Sequence, residues 1–462
     1  MVTNEKPSDL EIIGRVKSRR GYKGLTRAAK TARWCEKPIQ LSQIPERVTL
    51  RRTLIDTVSP SGSDFEGIYF KACGTRRRSR CEPCSKLYQG DARQLILAGL
   101  AGGKGVPESV AAHPAVFATL TAPSFGPVHR AIRKDGGKLI CHPRGGRRCR
   151  HGKLLMCCQS HEENDEIIGA PLCKKCYRYK TAVIWNAEST RLWQRTTIYL
   201  RRHLAKLLGI TEKELSQRVR VSYAKVIEFQ RRGVVHLHVV IRLDDSEDHS
   251  APPKLAVSPS QIELALRLAV SRVKVNFEAD GKVETIMWGK ELNILEVNES
   301  SVGKVANYIA KYATKSSCDS NSLDHQVRSE REIRASGAPE HLRKMALTAW
   351  ELGHNAAYSD LNLSMWAHDL GHRGHFLTKS RRYSVTFSYL ARLRQIWQEE
   401  RRSELRIAAD EAFKEGKTWH FMGRGWLFPS DRYLVAQERL QREETKQFMK
   451  DWFEQDLQAM AV

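Results

Sequence analysis

The sequence predicts a mixed α+β chain with a cysteine-rich, metal-binding insertion and a helical C-terminal region, and three observations carry that prediction. Two apolar runs flank a short turn at 221–228 and 234–243. A long stretch at helical spacing precedes them, and eleven cysteines occur, most of them in Cys-x-x-Cys pairs or beside histidine. The 462 residues hold 77 Lys+Arg against 52 Asp+Glu, a formal charge of +25, with 41% hydrophobic residues. A chain of this size can bury a substantial core, which excludes a small disulfide-stapled module. The charge excess points to a polyanionic partner, nucleic acid first. No window approaches the roughly 18 uninterrupted apolar residues of a membrane span, and the first 53 residues contain no apolar signal core. A cytoplasmic protein without a membrane partner is therefore expected, in which thiolates serve as metal ligands rather than disulfides.

In chain order, residues 1–60 are basic, punctuated by Arg19-Arg20-Gly21, and without a sustained period, so a flexible arm is expected. The run Ala115–Thr121, stopped by Ala122-Pro123, reads as a buried strand. From Thr181 to Gly209, Val183, Ile184, Ala187, Leu192, Trp193, Leu200 and Leu204 recur at helical spacing. This predicts one long helix or two consecutive ones, with Trp185, Trp193 and Tyr199 in the core rather than stacking on bases. Val221–Glu228 and Val234–Leu243 form a strand hairpin about Gln230–Gly233. An acidic, proline-containing loop, Asp244–Ser260, leads to a helix over Gln261–Val270. Leu292–Val297 is a third short strand, Gly303–Thr314 a helix beginning near Ser300-Ser301, and the polar stretch from Ser316 to His341 a domain boundary. The remainder is helical in pattern and ends in a charged helix near Tyr433–Leu457. The expected organisation is an arm (1–60), a central domain (61–316) with cysteine-rich insertions at about 73–84 and 141–176, and a mainly helical basic region (317–462).

The sharpest chemical feature is His236-Leu237-His238. Alternation along a strand projects both imidazoles to one side, where they can chelate one divalent ion. Glu228, across the presumed turn, could add a hard oxygen ligand and leave coordination positions open, a set that suits Mg²⁺ or Mn²⁺ bound together with a phosphate. The second feature is the helix segment Asn307–Lys315. Tyr308 and Tyr312 stand four apart on one face, and Lys311 and Lys315 form a second such pair beside them. A tyrosine can attack a phosphodiester when a metal polarises the phosphate and a cation assists loss of the phenol proton.

Cys81-x-x-Cys84 and Cys173-x-x-Cys176 have the bite of tetrahedral zinc and would make one four-thiolate site if the fold joins them. Cys149, His151, Cys157 and His161 could close a second zinc site. Cys73, Cys141 and Cys158 are spare candidates, and Cys35 and Cys318 are expected to be unligated. Arg231, Arg232, Arg381 and Arg382 are candidate phosphate contacts. No Gly-x-x-x-x-Gly-Lys-Ser/Thr occurs, so no phosphate-cradling nucleotide loop of that kind is expected.

In order, the Thr119-Leu120-Thr121 strand, the His-x-His strand and the Tyr-x-x-Lys helix resemble the three motifs of HUH endonucleases of the replication-initiator type. Two Tyr-x-x-Lys frames overlap here, similar to the paired-tyrosine helix of the initiators of isometric single-stranded DNA phages. More widely, Arg80–Cys84, Gly105–Ser109, Thr121–His129, Arg195–Arg202 and Arg373–Ser384 resemble RepSA-type initiators of actinobacterial plasmids and integrative conjugative elements. That likeness spans Cys73 to Phe387.

The resemblance implies an HUH nicking domain with a central antiparallel sheet flanked by helices, an inserted zinc-binding subdomain and a helical extension. It implies Tyr312 as primary nucleophile with Lys315 assisting, Tyr308 as a second nucleophile or the replacement of a terminating carboxylate, and a 5′-phosphotyrosine with a free 3′-OH as product. Origin DNA, single-stranded or extruded as a hairpin, is the implied substrate, with a host helicase and DNA polymerase as partners. Two alternatives stay open on sequence alone: a conjugative relaxase, disfavoured because relaxases usually place the tyrosine before the histidines, and a non-catalytic zinc-stabilised DNA-binding regulator.

Overall fold

The computed structural model of the chain describes residues 7–17, 19–42, 68–134, 137–142, 148–279, 281–313, 323, 325–400 and 419–459. In chain order the strands are β1 (Ile39–Ser42), β2 (Ile68–Lys71), β3 (Ala115–Leu120), β4 (Ile132–Lys134), β5 (Gly137–Leu139), β6 (Arg220–Phe229), β7 (Val235–Asp244), β8 (Val275–Ala279), β9 (Lys282–Ile286), β10 (Leu292–Glu296), β11 (Leu377–Lys379) and β12 (His420–Arg424). The chain divides into two compact units, one formed by Met1–Tyr88 with Arg394–Val462, the other by Gln89–Leu393. No helix among the described residues is long and apolar enough to cross a membrane.

The larger unit is built on a five-stranded sheet in the order β10-β3-β7-β6-β11, every neighbouring pair antiparallel. β7 is buried along almost its whole length because both of its faces are covered. On one face Val235, Leu237, Val239, Ile241 and Leu243 join Val116, Ala118 and Leu120 of β3. They pack against the single long helix Tyr179–Leu207 and the helix Pro259–Arg272. Trp185 and Trp193 are buried in that core. The Pro259–Arg272 helix starts where Ser258 and Gln261 form a reciprocal capping box with Pro259 in the first turn. The opposite face of the sheet is covered by the helix Glu299–Ala313, which buries Val302, Val305, Ala306, Ile309, Ala310 and Ala313.

Three sequence expectations change here. First, Leu342, Met345 and Ala346 of the helix Glu340–Gly353, with Leu361, Leu363, Leu370 and Phe376, belong to the same core as the sheet. The described residues from 323 to 393 therefore close the larger unit rather than open a separate region. Second, a hairpin of β8 and β9 lies between the Pro259–Arg272 helix and β10, where no strand is legible.

Third, much of the supposed arm is ordered. Helices Asp9–Lys17 and Arg19–Thr31 and strand β1 occupy it, and β1 is the middle strand of a β12-β1-β2 sheet. Leu25, Ala29, Ala32 and Cys35 are buried there against Phe70, Cys81, Cys84, Trp426 and Val435. Burial of this small stripe outweighs the basic, aperiodic look of the segment.

Candidate active site

The β6–β7 register sets Glu228 opposite His236 and Val226 opposite His238, while the β3–β7 register sets Thr119 opposite His238. Alternation then puts Glu228, His236, His238 and Thr119 on the sheet face turned away from the long helix. The hairpin turn between them is tight: Gly233 N–H donates to Gln230 O, and Gly233 adopts φ +75°, a conformation open to glycine. Asn186 of the long helix fastens the start of β7. Its Nδ2 donates to Gly233 O, and its Oδ1 accepts from Val235 N.

One donor atom from each of Glu228, His236 and His238 lies within 4.8 Å of the others. His238 Nε2 is 3.2 Å from Glu228 Oε2, and its Nδ1 is 3.1 Å from Thr119 Oγ1. Burial pushes the His236 pKa down to about 4, with His238 adding to the effect and Glu228 opposing it. His236 is thus a neutral imidazole near pH 7, the form that ligates metals. Its Nε2 is buried with no hydrogen-bond partner among the described residues, a costly condition that a bound cation relieves. Two imidazole nitrogens and one carboxylate, with positions left open, fit Mg²⁺ or Mn²⁺.

The helix Glu299–Ala313 starts where Ser301 N–H donates to Asn298 Oδ1 and Ser301 Oγ accepts from Asn298 N–H. Its apolar face is buried, and the tyrosines stand along the adjoining edge. The Tyr312 ring stacks on His238 at 4.9 Å between centroids, and Tyr308 meets His238 edge-on at 5.2 Å. The two phenol rings are 4.7 Å apart. Phe117 closes the group, 5.7 Å from Tyr308 and 6.1 Å from His238. Lys311 Nζ is 6.0 Å from the centre of the Tyr312 ring, and Lys315 lies outside the described residues. Both tyrosines thus stand beside the Glu228–His236–His238 group.

Sequence reasoning missed Asn186, Phe117 and Arg93, whose Nε donates to Asn307 Oδ1 at 2.5 Å and sets a cation beside the tyrosine helix. Phe117 lies in β3, a strand the sequence predicts, but nothing there marks it for a role, and Asn186 and Arg93 carry no motif; only the three-dimensional pairing exposes them.

The arginines divide. Arg231, Arg381 and Arg382 are exposed, Arg382 also donating to Glu247 O. Arg232, expected at the DNA surface, turns inward. Its guanidinium donates to Gln230 Oε1, Pro123 O and Ala122 O, so its charge holds the hairpin turn instead.

The cysteines pair differently from expectation as well. Cys81 and Cys84 meet Cys35 and Cys73, not Cys173 and Cys176, because the two knuckles belong to different units. Cys173 and Cys176 gather with Cys149 and His151, whereas Cys157 and His161 gather with His129 and Cys141. Cys35, expected to be unligated, is therefore in a cluster. Cys158 is exposed and in no such cluster among the described residues, and Cys318 lies outside them.

Comparison with known proteins gives a consistent result. The RepSA family, described as "Replication initiator protein, pSAM2", matches residues 21–439. A curated replication initiator protein of Streptomyces ambofaciens is 36% identical over 407 residues, covering 83% of this chain and 83% of that protein. No solved structure matches.

Proposed function

The chain belongs to the RepSA family of replication initiator proteins, and from that premise we propose that it begins rolling-circle replication by nicking origin DNA with a tyrosine. The observation carrying this reading is the meeting of Tyr308 and Tyr312 with His238 on the sheet face that also bears Glu228 and His236. A Mg²⁺ or Mn²⁺ ion, held by those three residues, would polarise a phosphate oxygen as a Lewis acid.

In the first transfer Tyr312 Oη attacks the scissile phosphorus. The new bond is Tyr312 Oη–P, the bond that breaks is P–O3′, and the proton lost by the phenol is balanced by the proton gained by the departing 3′ oxygen. The DNA 5′ end stays on the protein as a phosphotyrosine, and the free 3′-OH primes a polymerase. Lys311, and Lys315 by its spacing, supply positive charge beside the attacked phosphate. One phosphodiester is exchanged for another, so the step is near-neutral in bond energy. It needs no nucleotide hydrolysis, in keeping with the lack of a Gly-x-x-x-x-Gly-Lys-Ser/Thr sequence. Tyr308, whose ring lies 5.2 Å from His238, acts in the second transfer that ends a round. Its Oη–P bond forms as the P–O3′ bond of the regenerated origin breaks, and the 3′-OH so freed attacks the Tyr312 phosphotyrosine, rejoining the displaced strand and releasing the Tyr312 phenol.

Exposed arginines such as Arg231 and Arg381 hold backbone phosphates of single-stranded or hairpin origin DNA, while a host helicase and polymerase unwind and copy it. The test is incubation of the full chain with labelled origin oligonucleotides and Mn²⁺, followed by denaturing electrophoresis and mapping of the labelled peptide. An adduct on Tyr312 or Tyr308 supports the reading. DNA binding without any covalent adduct overturns it in favour of a non-catalytic regulator.

A further inference from the structure

We propose that the chain carries three structural zinc ions outside the Glu228–His236–His238 group, and that two of them form one interlocked brace. The first is held by Cys35, Cys73, Cys81 and Cys84, the second by His129, Cys141, Cys157 and His161, and the third by Cys149, His151, Cys173 and Cys176. Within each set the four donor atoms lie within 4.8 Å of one another.

Four protein donors complete a tetrahedral shell and leave no open position, which marks a structural rather than a catalytic site, and thiolate–imidazole sets select zinc. The sulfurs are also treated as acceptors by the backbone. Cys73 N–H donates to Cys35 Sγ, Glu36 N–H to Cys81 Sγ, and Arg130 N–H to Cys141 Sγ. Such donors stabilise a thiolate, the form that binds metal. At the first site Cys35 is delivered by two consecutive non-glycine residues in the left-handed region, Arg33 at φ 55° and Trp34 at φ 59°. Strain of that kind persists where the surroundings over-determine it, as a ligand held by an ion would.

The other eight ligands alternate along the chain. His129 and Cys141 serve one ion, Cys149 and His151 the next, Cys157 and His161 the first again, and Cys173 and Cys176 the second again. Each ion therefore closes a loop that contains ligands of the other, a cross-brace. Apolar burial offers this segment little else. Its own buried cluster is Cys141, Cys157 and Leu172 with Leu155 packed beside them, and its backbone pairing among described residues is the short β4–β5 hairpin and isolated bridges such as His142 with Cys157 and Arg148 with Leu154. A core that small does not hold a segment of this length without metal.

The brace leans on the hairpin turn between Glu228 and His236. Tyr177 Oη donates to Arg232 O at 3.1 Å, and a Cβ at Gly169, which has φ +87°, would fall 2.2 Å from the Arg231 carbonyl carbon. Backbone meets backbone there, so disorder in the brace passes directly to the turn.

The experiment is metal analysis of the purified full-length chain with His236→Ala and His238→Ala, which empties the remaining metal-binding group among the described residues. Three zinc ions per chain are expected; two or fewer overturn the assignment. Adding Cys81→Ser should leave two, whereas adding Cys157→Ser or Cys176→Ser should each leave one, because the braced pair is lost together. Loss of a single ion in both of the latter overturns the interlock. If a variant fails to fold, cobalt(II) exchange of the double-alanine chain, with all three Cys/His sets intact, decides. Tetrahedral absorption with thiolate charge transfer should saturate at three equivalents, and saturation below three refutes the proposal.

Discussion

Thr119 Oγ1 lies 3.1 Å from His238 Nδ1, across the β3–β7 pairing that sets the two residues opposite each other. If Nδ1 keeps its proton and donates to Thr119, then Nε2 carries the free lone pair and faces Glu228 Oε2 and the metal position. Thr119→Val removes the acceptor while nearly keeping side-chain shape, so the fold should persist. We expect the Mn²⁺ concentration for half-maximal nicking to rise about 10- to 100-fold, the usual effect of losing such an orienting partner. An unchanged Mn²⁺ requirement would show that Thr119 does not orient the ligand.

Tyr308 and Tyr312 both lie against the His238 ring, so the proposed attack is open to either, and the resemblance of the Tyr-x-x-Lys motif ranks Tyr312 first. Tyr312→Phe should abolish the covalent adduct on origin DNA. Binding should change by less than about 0.5 kcal/mol, because only one hydroxyl is lost from a partly exposed edge. Tyr308→Phe should leave the first adduct and block transfer to a second oligonucleotide. If the adduct survives in Tyr312→Phe and disappears in Tyr308→Phe, the two roles are reversed.

His341 supplies a pH dependence whose sign is set by burial. It sits in ring contact with Tyr177 and Tyr179, and its Nε2 is 3.0 Å from Arg232 O, on the same turn that separates Glu228 from His236. Burial pushes its pKa down to about 4, the Arg232 carbonyl opposing, against the ordinary 6.5. Between those values the unfolded chain takes up a proton that the folded chain refuses, so stability falls as pH drops from about 6.5 to about 4. The loss approaches roughly 1.4 kcal/mol per pH unit, about 3 kcal/mol in all. His341→Gln keeps a donor to the carbonyl but cannot titrate. Its thermal midpoint should fall less between pH 7 and pH 5 than that of the natural chain, as followed by circular dichroism.

The parts of this site legible in the sequence are those set by local periodicity. Alternation places His236 and His238 on one face, the Gln230–Gly233 turn pairs Glu228 with His236, and helical spacing aligns Tyr308 with Tyr312. What escaped depends on long-range topology. A Cys-x-x-Cys pair reveals its bite but not its partner, so Cys81 and Cys84 gave no sign of Cys35 and Cys73, and alternating ligand sets cannot be sorted without the fold. Arg232 is invisible for another reason: nothing in an Arg-Arg-Gly turn indicates that backbone carbonyls of Ala122 and Pro123 claim the guanidinium. The Arg19–Thr31 helix hides because its buried face is made largely of alanines among arginines and lysines.

Further along the histidine face of β7, Arg242 and Asp244 form a fully buried ion pair. Asp244 Oδ1 also meets His113 Nδ1 at 2.8 Å, Arg242 donates to Gly99 O, and the Arg242 guanidinium lies 5.3 Å from the Tyr383 ring centre. Removing one member leaves a buried charge without its partner. Arg242→Met should therefore destabilise the larger unit by about 3–5 kcal/mol, seen as a lower denaturant midpoint. Replacing Arg242 and Asp244 together by apolar residues should cost clearly less than Arg242→Met. A single variant as stable as the natural chain would mean that the pair is not load-carrying in this way.

The turn between Glu228 and His236 is held from outside by residues of the cysteine-rich segment and its flanks, through Tyr177 on Arg232 and Gly169 on Arg231. The contacts from Arg232 to Ala122 and Pro123 join the same turn to the end of β3. If zinc orders that segment, withdrawing zinc should loosen the turn before it melts the sheet, because β6 and β7 are also paired along ten residues each and packed on both faces. Hydrogen exchange of the full chain should then accelerate after chelation at 129–176 and at 228–236, while the Ile241–Leu243 amides stay protected. Nicking should fall in parallel, and excess Mn²⁺ should not restore it, since the fault lies in the spacing of the ligands rather than in their occupancy. Recovery on adding zinc back, with exchange at 228–236 slowing again, would tie the brace to the catalytic geometry. Fast exchange confined to 129–176 with full nicking would separate the two.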